Sequence, residues 1–153
     1  MRLVSKEIRD AIERTHYDID PDLIEAIVMT ESSGDPNATR YEPAFYERYI
    51  KPLNLPEAEG KKRATSYGLM QIMYQSAWED GYRDSAEGLF KIDVGLNWGT
   101  KHLKKKIDRY GQQDINRAIA AYNAGTPRMK DGKFVNQHYV DRVDSFLKKI
   151  REG

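Results

Sequence analysis

Residues 20–36 read DPDLIEAIVMTESSGDP, and they hold both a helix and an anomaly. Asp20 is an N-cap residue and Pro21 fits the first helical position. Leu23, Ile24, Ile27 and Val28 follow at the i, i+3, i+4 spacing of one apolar helix face. Gly34, Asp35 and Pro36 end the segment. Continuing the apolar stripe from Ile27 and Val28 reaches position 31, where the sequence supplies Glu31. A carboxyl set against an apolar face is desolvated, which raises its pKa and keeps it protonated near neutral pH, as a general acid requires. On helix geometry alone, a Glu31 that ends the helix and points to solvent is an equal alternative.

Outward from this helix the pattern stays helical. Leu3, Ile8, Ala11 and Ile12 predict a short amphipathic helix, so residues 1–19 are expected to pack on a domain formed by 20–153. A helix from about Lys91 to Tyr110 carries Ile92, Leu96, Gly99, Leu103, Ile107 and Tyr110, with Gly111 as its stop. Asp114 is expected to cap the next helix, with Ile115, Ala118, Ile119 and Tyr122 facing inward and Gly125 ending it. Tyr139, Val140, Val143, Phe146, Leu147 and Ile150 mark the last helix. A short helix is expected to start near Ser66 or Gly68. No segment alternates as a strand should, although a small hairpin fits Met129 to Val135. Residues 38–65 are the least regular, with Pro43, Pro52, Pro56 and Gly60, and room for one or two short helices around Tyr41, Phe45, Tyr46 and Tyr49.

Bulk properties narrow the function. One domain fits 153 residues. With 25 basic and 24 acidic residues the net charge is +1, which gives no electrostatic case for nucleic acid. The absence of cysteine excludes disulfides and thiolate zinc sites. A mean hydropathy of -0.78 and no apolar run of spanning length argue against a membrane segment. Residues 1–10 show no signal-peptide apolar core. The expectation is therefore a phage-encoded protein, one exported by another route, or a trimmed chain. His16, His102 and His138 lack metal spacing, and Asp18, Asp20 and Asp22 lack the glycine and glutamate of a calcium loop. No metal or cofactor is expected. Lys104, Lys105 and Lys106 read best as a solvated helix face.

Several segments then share one source. Glu31-Ser32 with Gly34-Asp35-Pro36-Asn37-Ala38 resembles the "ES-x-x-(N/D)-P-x-A" segment of family 1 soluble lytic transglycosylases. Ser66 to Met73, SYGLMQIM, resembles their "(S/Y)-G-L-M-Q-I-M". Asn97 to Leu103 looks like their helix ending in "G-x-x-(Y/H)-L". AIAAYNAG, Ala118 to Gly125, is close to their "A-L-A-A-Y-N-A-G", and Tyr139-Val140 with Val143 matches "Y-V-x-x-V". Goose-type lysozymes share much of this set. The likeness runs from about Asp20 to Leu147 and fails over 38–65 and 126–138; the first gap is longer than the usual connection, suggesting an atypical wall or lid beside the groove.

The resemblance implies an all-α, lysozyme-like single domain with a substrate groove between helices. It implies a monomer acting on peptidoglycan glycan strands at the cell wall, in the periplasm or outside the cell. The reaction would be cleavage of the β-1,4 bond between N-acetylmuramic acid and N-acetylglucosamine, with a 1,6-anhydro product. By position, Glu31 would be the catalytic acid/base. Gln71 and Met73 would line the groove, Tyr122 would hydrogen-bond Glu31, Asn123 would meet the acetamido group, and Tyr139 would close the pocket. Ser32 joins the binding set, unless it only bonds within its own turn. Met70 fits core better than ligand contact. Glu42, and less so Glu47, are candidates for a second carboxylate. Two rival readings are a goose-type hydrolase that uses water, and a glycan-binding or assembly module without activity.

Overall fold

The computed structural model describes residues 1–152. Helix α1 (Lys6–Arg14) starts where the Ser5 hydroxyl accepts from the Ile8 amide, 3.2 Å away. Helix α2 (Pro21–Ser32) begins at Asp20, whose carboxylate accepts from the Asp22 amide. It closes at Ser33, held at φ 54° in the left-handed region. Leu23 through Val28 are all buried, so α2 is the central helix and not a surface helix with one apolar stripe. That burial includes Glu25, which the apolar stripe did not foreshadow. Its carboxylate is held by Arg9 at 2.8 Å and by the amides of Leu3 and Val4, so the N-terminal segment is tied to the core by a fully paired charge.

After α2 comes strand β1 (Thr39–Tyr41), one helical turn α3 (Pro43–Phe45), a π-helix over Tyr46–Ile50, a 3-10 turn over Lys51–Leu53, and helix α4 (Glu57–Arg63). Strands β2 (Thr65–Tyr67) and β3 (Ile72–Met73) follow, then helix α5 (Tyr74–Glu79). The three strands form an antiparallel sheet in the order β1-β2-β3. This corrects the reading of residues 66–73 as the start of a helix. Ser66 and Tyr67 pair with Met73 and Ile72, Gly68 turns the chain at φ +82°, and helix begins only at Tyr74. A Cβ at Gly68 would lie 2.6 Å from the Leu89 carbonyl, so the turn needs glycine for both its conformation and its space.

A 3-10 helix over Ala86–Phe90 leads into α6 (Ile92–Tyr110), followed by α7 (Ile115–Ala124) from an Asp114 N-cap. Strands β4 (Met129–Lys130) and β5 (Lys133–Phe134) make the small hairpin expected there. Helix α8 (Gln137–Arg151) ends the described chain. The main packings are α2 on α8 and α6 on α7. Ile24, Ile27, Val28, Leu96, Leu103, Val140 and Val143 meet in one core. Ile115 is the exception to the expected inner face of α7, being 41% exposed in the first turn. The molecule is thus mostly helical, with a small sheet beside the helices. No helix of the described residues is long and apolar enough to cross a membrane.

Candidate active site

A groove of about 650 Å³ runs between α2, the β-sheet and α7, with Glu31 on its wall. Glu31 sits in the last turn of α2, half-buried, and burial pushes its carboxyl up to about 7 from an ordinary 4.5. Three influences oppose that rise: a hydrogen bond from Tyr139 and the charges of Arg40 and Arg142. Glu42 adds to it by repulsion. The stripe therefore placed Glu31 correctly on the apolar side, and the exposed alternative does not hold.

The Tyr139 hydroxyl donates to Glu31 Oε2 at 2.8 Å. Tyr122, expected to hold Glu31, instead donates to the Met70 carbonyl at 2.7 Å. The exchange follows from packing: α8 lies on α2 and carries Tyr139 to the acid, whereas Tyr122 on α7 faces the turn after β2. Burial, reinforced by the nearby Glu31, keeps both tyrosine hydroxyls protonated far above their ordinary range. Both rings therefore act as donors. Met70 itself is core, with its sulfur 3.5 Å from the Thr100 hydroxyl.

Gln71 occupies a left-handed position, φ 49°, between β2 and β3. Its side-chain nitrogen donates to the carbonyls of Ala38 and Gly68, each at 2.9 Å. That anchoring leaves the amide oxygen as an acceptor for a ligand. Asn123, at the end of α7, uses its oxygen to accept from Asn136 at 2.8 Å. Its side-chain nitrogen is then left as a donor. Gln71 and Asn123 both line the groove with Glu31 and Met73, so an acceptor and a donor flank one acid. Ser32 does not join them. Its hydroxyl bonds the backbone carbonyls of Val28 at 3.1 Å and Leu69 at 2.8 Å, pinning α2 to the Gly68–Gln71 turn.

Glu42 does line the groove and is ion-paired with Arg40 at 3.2 Å, while Glu47 pairs with Lys51. The lysine run is less uniform than a solvated face. Lys104 pairs with Asp108, Lys105 binds the buried Asp80, and Lys106 reaches the groove and donates to the Gly125 carbonyl at 2.9 Å. His102 also lines the groove, with its Nδ1 2.8 Å from Asp80 Oδ2. Burial works to raise the Asp80 carboxyl, but bonds from His102 and Lys105 outweigh it and hold it below its ordinary value. His102 stands in the Asn97 to Leu103 segment, but its pairing with Asp80, 22 positions away, was not foreseen because no local spacing links the two. Among the described residues, no group of three metal-ligating side chains converges.

An acid poised near neutrality, oriented by a tyrosine and flanked by amides, suits proton transfer to and from an oxygen of a bound ligand. The family model described as "Transglycosylase SLT domain" matches residues 11–141. A protein named Transglycosylase from Enterobacteria phage PRD1 is 31% identical over 110 residues, covering 72% of this chain. The match covers 31% of that protein, so the chain spans about a third of the length of the relative it matches. The family match takes in α2 with Glu31, the Gly68–Gln71 turn, α7 and the start of α8. On that coverage, the chain belongs to the transglycosylase SLT domain family.

Proposed function

We propose that this chain is a lytic transglycosylase of peptidoglycan, cleaving the β-1,4 bond between N-acetylmuramic acid and N-acetylglucosamine. The observation that carries this is Glu31, a carboxyl raised to about 7 in a groove, oriented by Tyr139. Protonated Glu31 gives its proton to the glycosidic oxygen as the bond to the anomeric carbon breaks. The muramoyl acetamido oxygen attacks that carbon and holds it. Glu31, now a carboxylate, takes the proton of the muramoyl 6-hydroxyl. The freed oxygen displaces the acetamido group and closes a 1,6-anhydro ring. Both internal nucleophiles belong to the cleaved sugar, which gives them the advantage of intramolecular reaction. The Gln71 acceptor and the Asn123 donor match the N–H and C=O of an acetamido group, supporting an N-acetylated substrate. The site of action is then the cell wall.

Glu42 supports a second reading, hydrolysis, because its carboxylate lines the same groove. Retaining and inverting glycosidases both need a second carboxyl, as nucleophile or as base for water. Digestion of purified sacculi followed by mass spectrometry separates the two. The anhydro product is lighter than the hydrolysed one by one water. Reducing ends as the main product would replace the transglycosylase reading with the hydrolase one, and no release of muropeptides would remove both.

A further inference from the structure

The geometry points to an added sugar subsite built by the 38–65 segment, in which Phe45 and Tyr49 form an aromatic shelf for a pyranose ring of the glycan strand beyond the sugars at Glu31. This rests on the peptidoglycan reading above and names a part of the same groove that Glu31, Gln71 and Asn123 do not supply.

Three observations carry it. First, both rings line the groove that holds Glu31, so a strand bound at Glu31 continues along them. Second, the rings lie together in the open. Their centroids are 5.0 Å apart with planes tilted by 46°, Tyr49 is 52% exposed, and Phe45 is half-buried. Exposed aromatic faces grouped inside a groove are more often ligand contacts than stray surface residues. Third, the backbone under them is fixed. The π-helix Tyr46–Ile50 is locked by Ile50, which is buried, and by α4, which approaches through Gly60. A Cβ on Gly60 would lie 3.1 Å from the Tyr46 ring and 3.3 Å from Ile50, so that approach is already at contact. Single π-turns recur at functional sites. Here Ile50 and Tyr46 meet α4 while Phe45 and Tyr49 face the groove. The shelf is therefore held by residues other than itself, and apart from the Tyr49 face over which Arg48 lies, ring surface is open to the groove.

A sugar fits better than a charged peptide stem. Arg40 and Glu42 at this side of the groove are paired with each other, and Arg48 lies 5.2 Å from the centroid of the Tyr49 ring. Beside that guanidinium the two rings offer apolar surface with one hydroxyl, which matches the C–H face and hydroxyl edge of a pyranose.

The test uses Glu31→Gln protein, which holds the strand uncut, and peptide-free strands of alternating N-acetylglucosamine and N-acetylmuramic acid in a series of increasing length. Calorimetry should show affinity rising with length. Adding Tyr49→Ala or Phe45→Ala should weaken the long strands about tenfold, the loss typical of a well-packed aromatic contact, and leave the shortest unchanged. Tyr49→Phe should retain most of the long-strand affinity. Affinity that does not grow with length, or that falls equally at every length in the alanine variants, would overturn the shelf. So would a loss seen only with peptide-bearing strands. Clearing of sacculi by the unmodified protein is measured alongside: if it clears them while binding ignores length, the shelf alone fails, and if it does not, the peptidoglycan reading fails.

Discussion

The Tyr139 hydroxyl donates to Glu31 Oε2 at 2.8 Å across 108 residues of sequence, joining the last turn of α2 to the first turn of α8. The bond favours the ionised carboxylate and so works against burial, the leading cause of the raised pKa. Tyr139→Phe should therefore push the Glu31 pKa higher still. If Glu31 is the acid, activity falls as pH rises through its pKa, and the alkaline limb of kcat/KM should move up in the variant. Turnover at the optimum should fall on the order of tenfold through lost orientation. An alkaline limb that stays fixed or moves down would break the link between this bond and the acid.

Glu31→Gln should abolish clearing of sacculi, since a general acid contributes about 10²–10⁴-fold. The same change should affect stability in a pH-dependent way. The folded pKa is about 7 against an ordinary 4.5, so the folded state holds its proton more tightly than the unfolded one. Stability is then fully present below about 4.5, declines as pH rises, and levels off above about 7. The wild-type loss across that window is at most roughly 3 kcal/mol, from the size of the shift. The glutamine variant should lack this decline and be more stable than wild type at pH 8. Parallel melting curves that never diverge with pH would contradict the burial of Glu31.

Tyr122→Phe tests a different bond. Its hydroxyl holds the Met70 carbonyl beside Gln71, so its removal should cost about 1–2 kcal/mol and loosen the turn that aims Gln71. The melting midpoint should fall by a few degrees, with a loss of activity alongside. An unchanged midpoint with lost activity would instead mean that the hydroxyl acts on substrate or on Glu31.

Gly99→Ala attacks the same turn from beneath. A Cβ there would lie 2.7 Å from both Cβ and Sδ of Met70, inside the closest real contacts. Overpacking of this kind costs about 1–3 kcal/mol and should shift Met70, and with it Gln71, toward the groove. A variant with wild-type melting and activity would show that α6 can slide away from the turn.

The sequence carried local chemistry well and long-range choices poorly. Asp20 with Pro21, the Glu31 break in an apolar stripe, and the α6 and α7 boundaries are all set by neighbours within a turn or two. The β-sheet left no trace, because strands of two or three residues are too short to alternate. Tyr122 and Tyr139 both lie on apolar stripes, and only the packing of α8 on α2 decides which hydroxyl meets Glu31. Phe45 and Tyr49 are four apart, the spacing of one helix face, but nothing local to them says that this face lines the groove. His102 gained its partner through the fold, since Asp80 lies beyond α5 and reaches it only when α5 packs on α6.

Glu42→Gln distinguishes the two chemistries at the groove. Glu42 faces the groove, pairs with Arg40 at 3.2 Å, and raises the Glu31 pKa by repulsion. Neutralising it removes that repulsion, so the Glu31 pKa should drop and the alkaline limb should shift slightly down. Because Glu42 is partly solvent-screened, the shift should be small. In a transglycosylase the substrate provides both nucleophiles, so the variant should keep most of its activity and still release anhydro muropeptides. In a hydrolase Glu42 would activate water or attack the anomeric carbon, and the same change should cut turnover by about a hundredfold or more. The pH shift checks that Glu42 is electrically coupled to Glu31 in either case, and the product mass reports the chemistry. Retained turnover with reducing ends would remove Glu42 as the base and require another group to activate water.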